Sequence, residues 1–220
     1  MSSAANHPPR WTRRKNARPQ ELLAAAMDQF VQRGYAATRL EDVARQAGVS
    51  KGTLYLYFAN KEELFKAVVR ANIVPLIGAA EQVIDSYAGD SAWLFRDIML
   101  GWWRRIGDTP LAGISKLMIA ESGNFPTLAS FYQEEVIARG SAIIVRMLER
   151  GIARGEFRPA NPSTLASVVV APMLMLMLSK HSPNTCAGQA PPQEYLDSFI
   201  DVCLYGLLEK TRPAPATTKQ

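Results

Sequence analysis

Apolar residues along this chain recur at the three-and-four spacing of amphipathic helices and nowhere alternate as in a half-buried strand. Leu22, Leu23, Met27, Phe30 and Val31 form the first stripe, with Pro19 in its opening turn and Gly34 at its end. Leu40, Val43, Ala44 and Ala47 form the second, started by a Thr38–Glu41 capping box and stopped by Gly48. Ser50 is an N-cap for a short third helix, Lys51 to about Phe58, and Asn60 with Glu63 caps a fourth carrying Leu64, Phe65 and Val68. The fourth runs to about Tyr87, bent or broken near Pro75. Further helices are expected over about 91–107 and 110–121, and from the Gly123–Pro126 turn to about Arg154, where Gly155 stops the helix. Two more run from Asn161-Pro162 to about 181 and over about 193–210, separated by a loop over 182–192. The fold class is all-α, with about nine helices.

The second and third helices, joined by a tight glycine turn, form a helix-turn-helix whose second member can lie in a DNA major groove. Leu54 and Phe58, four apart, anchor the third helix on a core. Lys51, Gly52, Thr53, Tyr55, Leu56 and Tyr57 are left to face outward or sideways. Ammonium and hydroxyl groups suit phosphate oxygens, and a flat Leu or Thr methyl suits the methyl of thymine. Gly52 removes a side chain where backbone must come close to DNA.

Charge sharpens this picture. Of the 220 residues 48% are hydrophobic and 20% charged, as in a soluble globular protein rather than a disordered one. The net charge of +5 is unevenly spread: residues 1–72 hold 12 Lys+Arg against 6 Asp+Glu, and residues 73–220 hold 13 against 14. A basic module joined to a near-neutral one suits DNA binding plus a second task. Residues 1–18 carry Arg10, Arg13, Arg14, Lys15 and Arg18 with no acid, which reads as a disordered basic arm able to track phosphates or enter a minor groove. They hold no apolar signal core, and the longest uninterrupted apolar run, Val168–Leu178, is 11 residues, against about 20 for a membrane span. The expectation is a cytoplasmic protein without a membrane partner, its Cys186 and Cys203 free thiols.

An enzyme is not expected. His7 and His181 cannot form a dyad or metal pair at helical spacing, and His181 with Cys186 and Cys203 matches no zinc pattern. The glycines at 48 and 52 belong to the turn and make no phosphate loop. No cofactor or metal is implied.

The run Gly48-Val49-Ser50-Lys51-Gly52-Thr53-Leu54-Tyr55-Leu56-Tyr57-Phe58, followed by Asn60-Lys61-Glu62-Glu63-Leu64-Phe65, resembles the DNA-binding signature of the TetR family of transcriptional regulators. The resemblance extends from about Pro19 to Val69; beyond it the chain is similar in length and helix pattern, weakly to the AefR-like C-terminal group. It implies a basic arm over 1–18, a three-helix DNA-binding domain over 19–70, a C-terminal ligand-binding and dimerisation domain over 71–212, and a disordered tail over 213–220. It implies a homodimer through the eighth and ninth helices, bound to a palindromic operator whose half-sites lie about 34–36 Å apart. The function expected is a repressor released by a small, mostly apolar effector; an activator, or an architectural DNA-binding dimer without a ligand, is the alternative.

The DNA-contacting set is Thr38, Arg39, Ser50, Lys51, Gly52, Thr53, Tyr55, Leu56, Tyr57 and Lys61. Tyr57, Thr38 and Lys61 are expected on phosphates, Lys61 aided by a helix N-terminus. Arg39, Lys51, Thr53 and Leu56 are expected at base edges. The effector is expected among Met99, Trp102, Trp103, Met118, Phe125, Phe131, Tyr132, Met173 and Met177, with Glu121 and Asn124 orienting it. The run VVVAPMLMLML is apolar on every side, so one face must find cover beyond its own domain. Tyr195, Phe199, Val202, Leu204 and Leu207 on the ninth helix add to the dimer surface.

Overall fold

The computed structural model describes residues 18–180 and 190–207. The basic arm over 1–17, the Arg18 side chain, the tail over 213–220, His7, His181, Cys186 and most of the 182–192 loop lie outside the described residues. The rest is helical: α1 (Arg18–Ala37), α2 (Leu40–Gln46), α3 (Lys51–Tyr57), α4 (Lys61–Asn72), α5 (Val74–Ser86), α6 (Ser91–Trp102), α7 (Ala112–Glu121), α8 (Pro126–Tyr132), α9 (Arg139–Ala153), α10 (Pro162–Lys180) and α11 (Pro192–Leu207). The described residues form no β-sheet.

The elements correspond to the nine expected helices, two of which are divided. The stretch over 61–87 breaks at Ile73, just before Pro75, which lacks an N–H and sits in the first turn of α5. The stretch over 126–154 passes through a wide π-helical segment, Gln133–Ala138, between α8 and α9. A second such segment, Trp103–Gly107, continues α6. Local wide turns of this kind often mark functional sites.

Most caps form as the sequence predicts. Ser50 Oγ accepts from Thr53 N at 3.1 Å and Asn60 Oδ1 from Glu63 N at 2.8 Å. Gly48, at φ 65°, closes α2 in a Schellman arrangement, with Val49 N donating to Ala44 O at 2.9 Å. The Thr38–Glu41 box does not form. The N-terminal boundary residue of α2 is Arg39, with no side-chain cap, and the Thr38 hydroxyl turns back to donate to Gly34 O (2.7 Å) and Gln29 O (3.1 Å). Gly34 explains the change: at φ 80°, ψ 169° it breaks the helical path inside α1, presenting carbonyls that Thr38 satisfies before it can serve α2.

The chain divides into two compact units. One comprises the residues up to Asn72 with Gly113–Phe131; the other comprises Ile73–Ala112 with the residues from Tyr132 onward. The first unit is built on an aromatic cluster, Phe30 edge-on to Phe65 at 5.2 Å and Tyr35 edge-on to Phe65 at 5.6 Å, flanked by buried Leu22, Val43, Leu54 and Leu64. Helix α7 belongs here because Gly113 offers no Cβ; one would stand 2.5 Å from Val31 Cγ1.

The second unit buries Leu94 and Phe95 of α6, Met147 and Leu148 of α9, Met177 of α10 and Ile200 of α11. Arg139 grips Glu81 bidentately (3.1 and 2.7 Å), and Arg146 pairs with Asp85, so α5 is tied to α9 at two points. Arg96 of α6 faces Asp197 and Asp201 of α11. Cys203 is a free, half-buried thiol whose pKa burial pushes up to about 11.

Two stretches, 61–86 and 162–180, are long and apolar enough by length and composition to cross a membrane, which the 11-residue run does not suggest. The first is broken at Ile73, and α10 uses Ala166, Val169, Met173, Leu176 and Met177 as core.

Candidate nucleic-acid interface

The short helix α3 is fastened at one point and bare elsewhere. Leu54 is fully buried, which removes a leucine's apolar surface from water for about 1.5–3 kcal/mol, and the Ser50 cap adds about 1 kcal/mol. Around that anchor Lys51, Gly52, Tyr55, Leu56 and Tyr57 are exposed, and Leu56 is 84% exposed. No core demand explains a leucine in that setting. Gly52 has no internal reason either: a Cβ there would meet nothing closer than Ser50 Oγ at 3.8 Å, and alanine would favour the helix by about 1 kcal/mol. A glycine and a leucine held out together on a seven-residue helix suit a surface that another molecule approaches closely.

The polar members of the expected set take several roles. Arg39 is exposed at the start of α2. Lys51 is also exposed but pairs with Glu41 across the turn; that hydrogen bond raises the Lys51 pKa and lowers that of Glu41. The Thr53 hydroxyl shares a 2.9 Å hydrogen bond with Ser50 Oγ, and both lie at the edge of the exposed strip.

Two residues depart from expectation. Thr38 is 2% exposed, so its hydroxyl serves the α1 terminus and not an external phosphate. The Lys61 ammonium donates to Tyr35 O (2.7 Å), Ala36 O (3.1 Å) and Thr38 O (3.1 Å), with the Tyr35 ring 4.5 Å away. Burial lowers its pKa, and the Glu121 carboxylate acts in the opposite sense. The reason is positional: as the first residue of α4, Lys61 reaches the unpaired carbonyls that Gly34 leaves behind.

The eleven residues expected around an effector divide between the units. Met118, Glu121, Asn124, Phe125 and Phe131 fall in the first, where several are engaged locally. Within this unit the Phe125 ring packs on Tyr35 of α1 at 4.7 Å, the Phe131 ring lies against Lys66 and Arg70 of α4, and Asn124 is exposed. In the second unit Met99, Trp103, Tyr132, Met173 and Met177 are buried and Trp102 half-buried. Trp103 lies in the π-helical turn, beneath the Lys180 ammonium at 5.7 Å, and Gly107 could not carry a Cβ without striking it. Sequence reasoning missed an open groove of about 620 Å³ lined by Tyr57, Phe58, Ala59, Glu63, Ala67, Arg70 and Ala71. The small residues along α4 were its only signal.

The apolar faces of α10 and α11 also remain uncovered. Val168, Ala171 and Met175 follow one another at three- and four-residue steps, and Val202 and Tyr205 are 73% and 77% exposed.

Comparison with known proteins gives matches in both halves of the chain. Residues 22–68 match the model of bacterial regulatory proteins, tetR family, and residues 95–203 match the model Tetracyclin repressor-like, C-terminal domain, a description other than AefR-like. The uncharacterized HTH-type transcriptional regulator YhgD of Bacillus subtilis (strain 168) is 28% identical over 181 residues, 78% of this chain and 91% of its own. The fatty acid metabolism regulator protein of the same organism is 27% identical over 158 residues, 71% of this chain and 80% of its own. Among solved structures, a Saccharomonospora viridis protein in complex with choline superposes with a TM-score of 0.74 at 18% identity, covering 89% of this chain and all of that one (100%). The regulator FadR from Bacillus subtilis in complex with stearoyl-CoA gives a TM-score of 0.71 at 19% identity, covering 85% and 98%. At those identities the structural likeness is one of fold.

Proposed function

The chain belongs to the TetR family of DNA-binding transcriptional regulators, and from that premise we propose that it is a homodimeric, cytoplasmic repressor released from a palindromic operator by a small, mostly apolar effector. The domain over 19–70 reads DNA, and the region over 71–212 carries effector binding and dimerisation. Leu56, Tyr55, Gly52, Lys51, Thr53 and Arg39 face base edges, while Ser50, Tyr57 and the N-terminus of α4 meet phosphates. The observation that carries this reading is the exposed pairing of Gly52 and Leu56 on α3, which no packing demand of the protein explains.

The effector site is formed from Met99, Trp102, Trp103, Tyr132, Met173 and Met177. Thioethers and flat rings accommodate an apolar body, and the wide turn at Trp103–Gly107 gives that wall room to change. A fatty acid metabolism regulator among the relatives, and a neighbour solved with stearoyl-CoA, favour an acyl-type ligand. An effector that binds the DNA-incompetent dimer more tightly shifts the population off the operator.

The test is selection of bound duplexes from a random pool by the full-length protein, followed by titration of the winner with long-chain acyl-CoA. Enrichment of an inverted repeat and its release by acyl-CoA are expected. A pool that stays random would reject the regulator reading at this helix, and a selected repeat that no acyl-CoA releases would reject the effector class.

A further inference from the structure

Lys61 is the first residue of α4, and its side chain points back into the protein instead of outward. Three carbonyl oxygens converge on its Nζ, those of Tyr35, Ala36 and Thr38, at 2.7, 3.1 and 3.1 Å. An ammonium has three N–H donors, so all are committed. The Tyr35 ring covers another side at 4.5 Å. All three carbonyls belong to the segment after Gly34, where the chain leaves α1 and heads for α2. From the other side the Thr38 hydroxyl holds the same segment to Gly34 O and Gln29 O. We propose that Lys61 is a positioning residue for DNA recognition: it caps the C-terminal end of α1 and so fixes where α2 and α3 sit relative to α4, and it is not a phosphate ligand.

This rests on α3 being the DNA reader, and it assigns a different part of the interface. A cation at the C-terminal end of a helix neutralises the partial negative charge of its unpaired carbonyls. Burial already disfavours the charged form of Lys61, which converging carbonyls compensate and a distant, hydrated phosphate would not. Meeting a phosphate would require at least one of the three bonds to break. Phosphates near α4 are served by its backbone N–H groups instead. Lysine is specified because a compact ammonium can receive three oxygens from three directions, which a flat guanidinium cannot.

The test uses the full-length protein with mixed-sequence double-stranded DNA as the probe, and compares wild type, Lys61→Met and Lys61→Arg over a salt series. Both variants are expected to bind about fivefold more weakly, the scale of one lost helix cap. The slope of log affinity against log salt should stay at the wild-type value. A slope shallower by about 0.9 in Lys61→Met, restored in Lys61→Arg, marks a phosphate ligand and overturns the proposal. The second measurement, the 15N–1H signal of the Lys61 ammonium in the free protein, holds even where a variant fails to fold. Protected by three carbonyls, it should be visible without DNA and should keep its shift when DNA is added. A signal that appears only with DNA overturns the cap. If wild type does not retain the probe, the reading of α3 falls, while the ammonium spectrum still decides the cap.

Discussion

Glu121 lies against Gly34: its Oε1 is 3.3 Å from the point where a Cβ on that glycine would stand. The end of α7 is therefore seated on the residue at which α1 departs from helical geometry. At φ 80°, ψ 169°, Gly34 occupies a region that only glycine visits readily, and a side chain there costs about 1–3 kcal/mol. Gly34→Ala meets that cost and also presses on the Glu121 carboxylate. Urea unfolding should show a loss of about 1–3 kcal/mol. Gly123→Ala, where a Cβ meets nothing within 4 Å and φ is ordinary, should stay within about 0.5 kcal/mol. Equal effects from the two substitutions would count against the strain.

Leu56 offers a sharper test of the reading surface. It is 84% exposed, so Leu56→Ala should leave thermal stability unchanged. If its methyls meet a thymine methyl, replacing thymine by uracil in a selected duplex weakens wild type by about 0.8 kcal/mol, the scale of one buried methyl-sized group. The same replacement should leave Leu56→Ala indifferent, since the contact is already gone. A uracil penalty of equal size in both proteins rules out the contact.

Much of this architecture is legible in the sequence, for identifiable reasons. Ser50, Gly48 and Asn60 are local signals, decided within four residues, and all three appear where the sequence places them. Thr38 and Lys61 carry the same local signals yet are claimed by partners 4 to 26 residues away in sequence, because Gly34 leaves carbonyls unpaired. Capping rules do not see that demand. Phe125 and Phe131 have the composition of a ligand wall, but composition does not say that their rings meet Tyr35 of α1 and Lys66 and Arg70 of α4. The Val31–Gly113 approach, which draws α7 to α1, shows in the sequence only as a glycine.

Acid should loosen one corner of the second unit. Glu156 accepts from the Ser91 backbone N–H at 2.7 Å, at the start of α6, and pairs with Arg154. The Ser91 hydrogen bonds above all, with Arg154, lower its pKa from 4.5 to about 2. Because the folded value is below the unfolded one, the contribution is present above about 4.5 and is lost as pH falls toward 2. Glu156→Gln should therefore be less stable than wild type at neutral pH, the difference narrowing through that window. A difference independent of pH would assign the effect to packing.

The dimer prediction follows from surface that the monomer leaves uncovered. Val202 and Tyr205 on α11 are 73% and 77% exposed, and Val168 and Met175 on α10 are also exposed, although both helices have a buried face of their own. Contiguous apolar area of this kind is unusual on a monomer, and burying it gains about 25 cal/mol per Å². A stable interface needs roughly 1,200–2,000 Å² in total. A charge placed in the centre of such a face must be buried unpaired on association, and in a symmetric dimer it is buried twice. Sedimentation at micromolar concentration should give twice 24.3 kDa for wild type and 24.3 kDa for Val202→Glu, with unchanged helical circular dichroism because Val202 has no role in the monomer core. Ile119→Glu, also exposed but on α7, should remain dimeric. A wild-type protein that sediments as a monomer, or a Val202→Glu dimer as tight as wild type, would remove α11 from the interface.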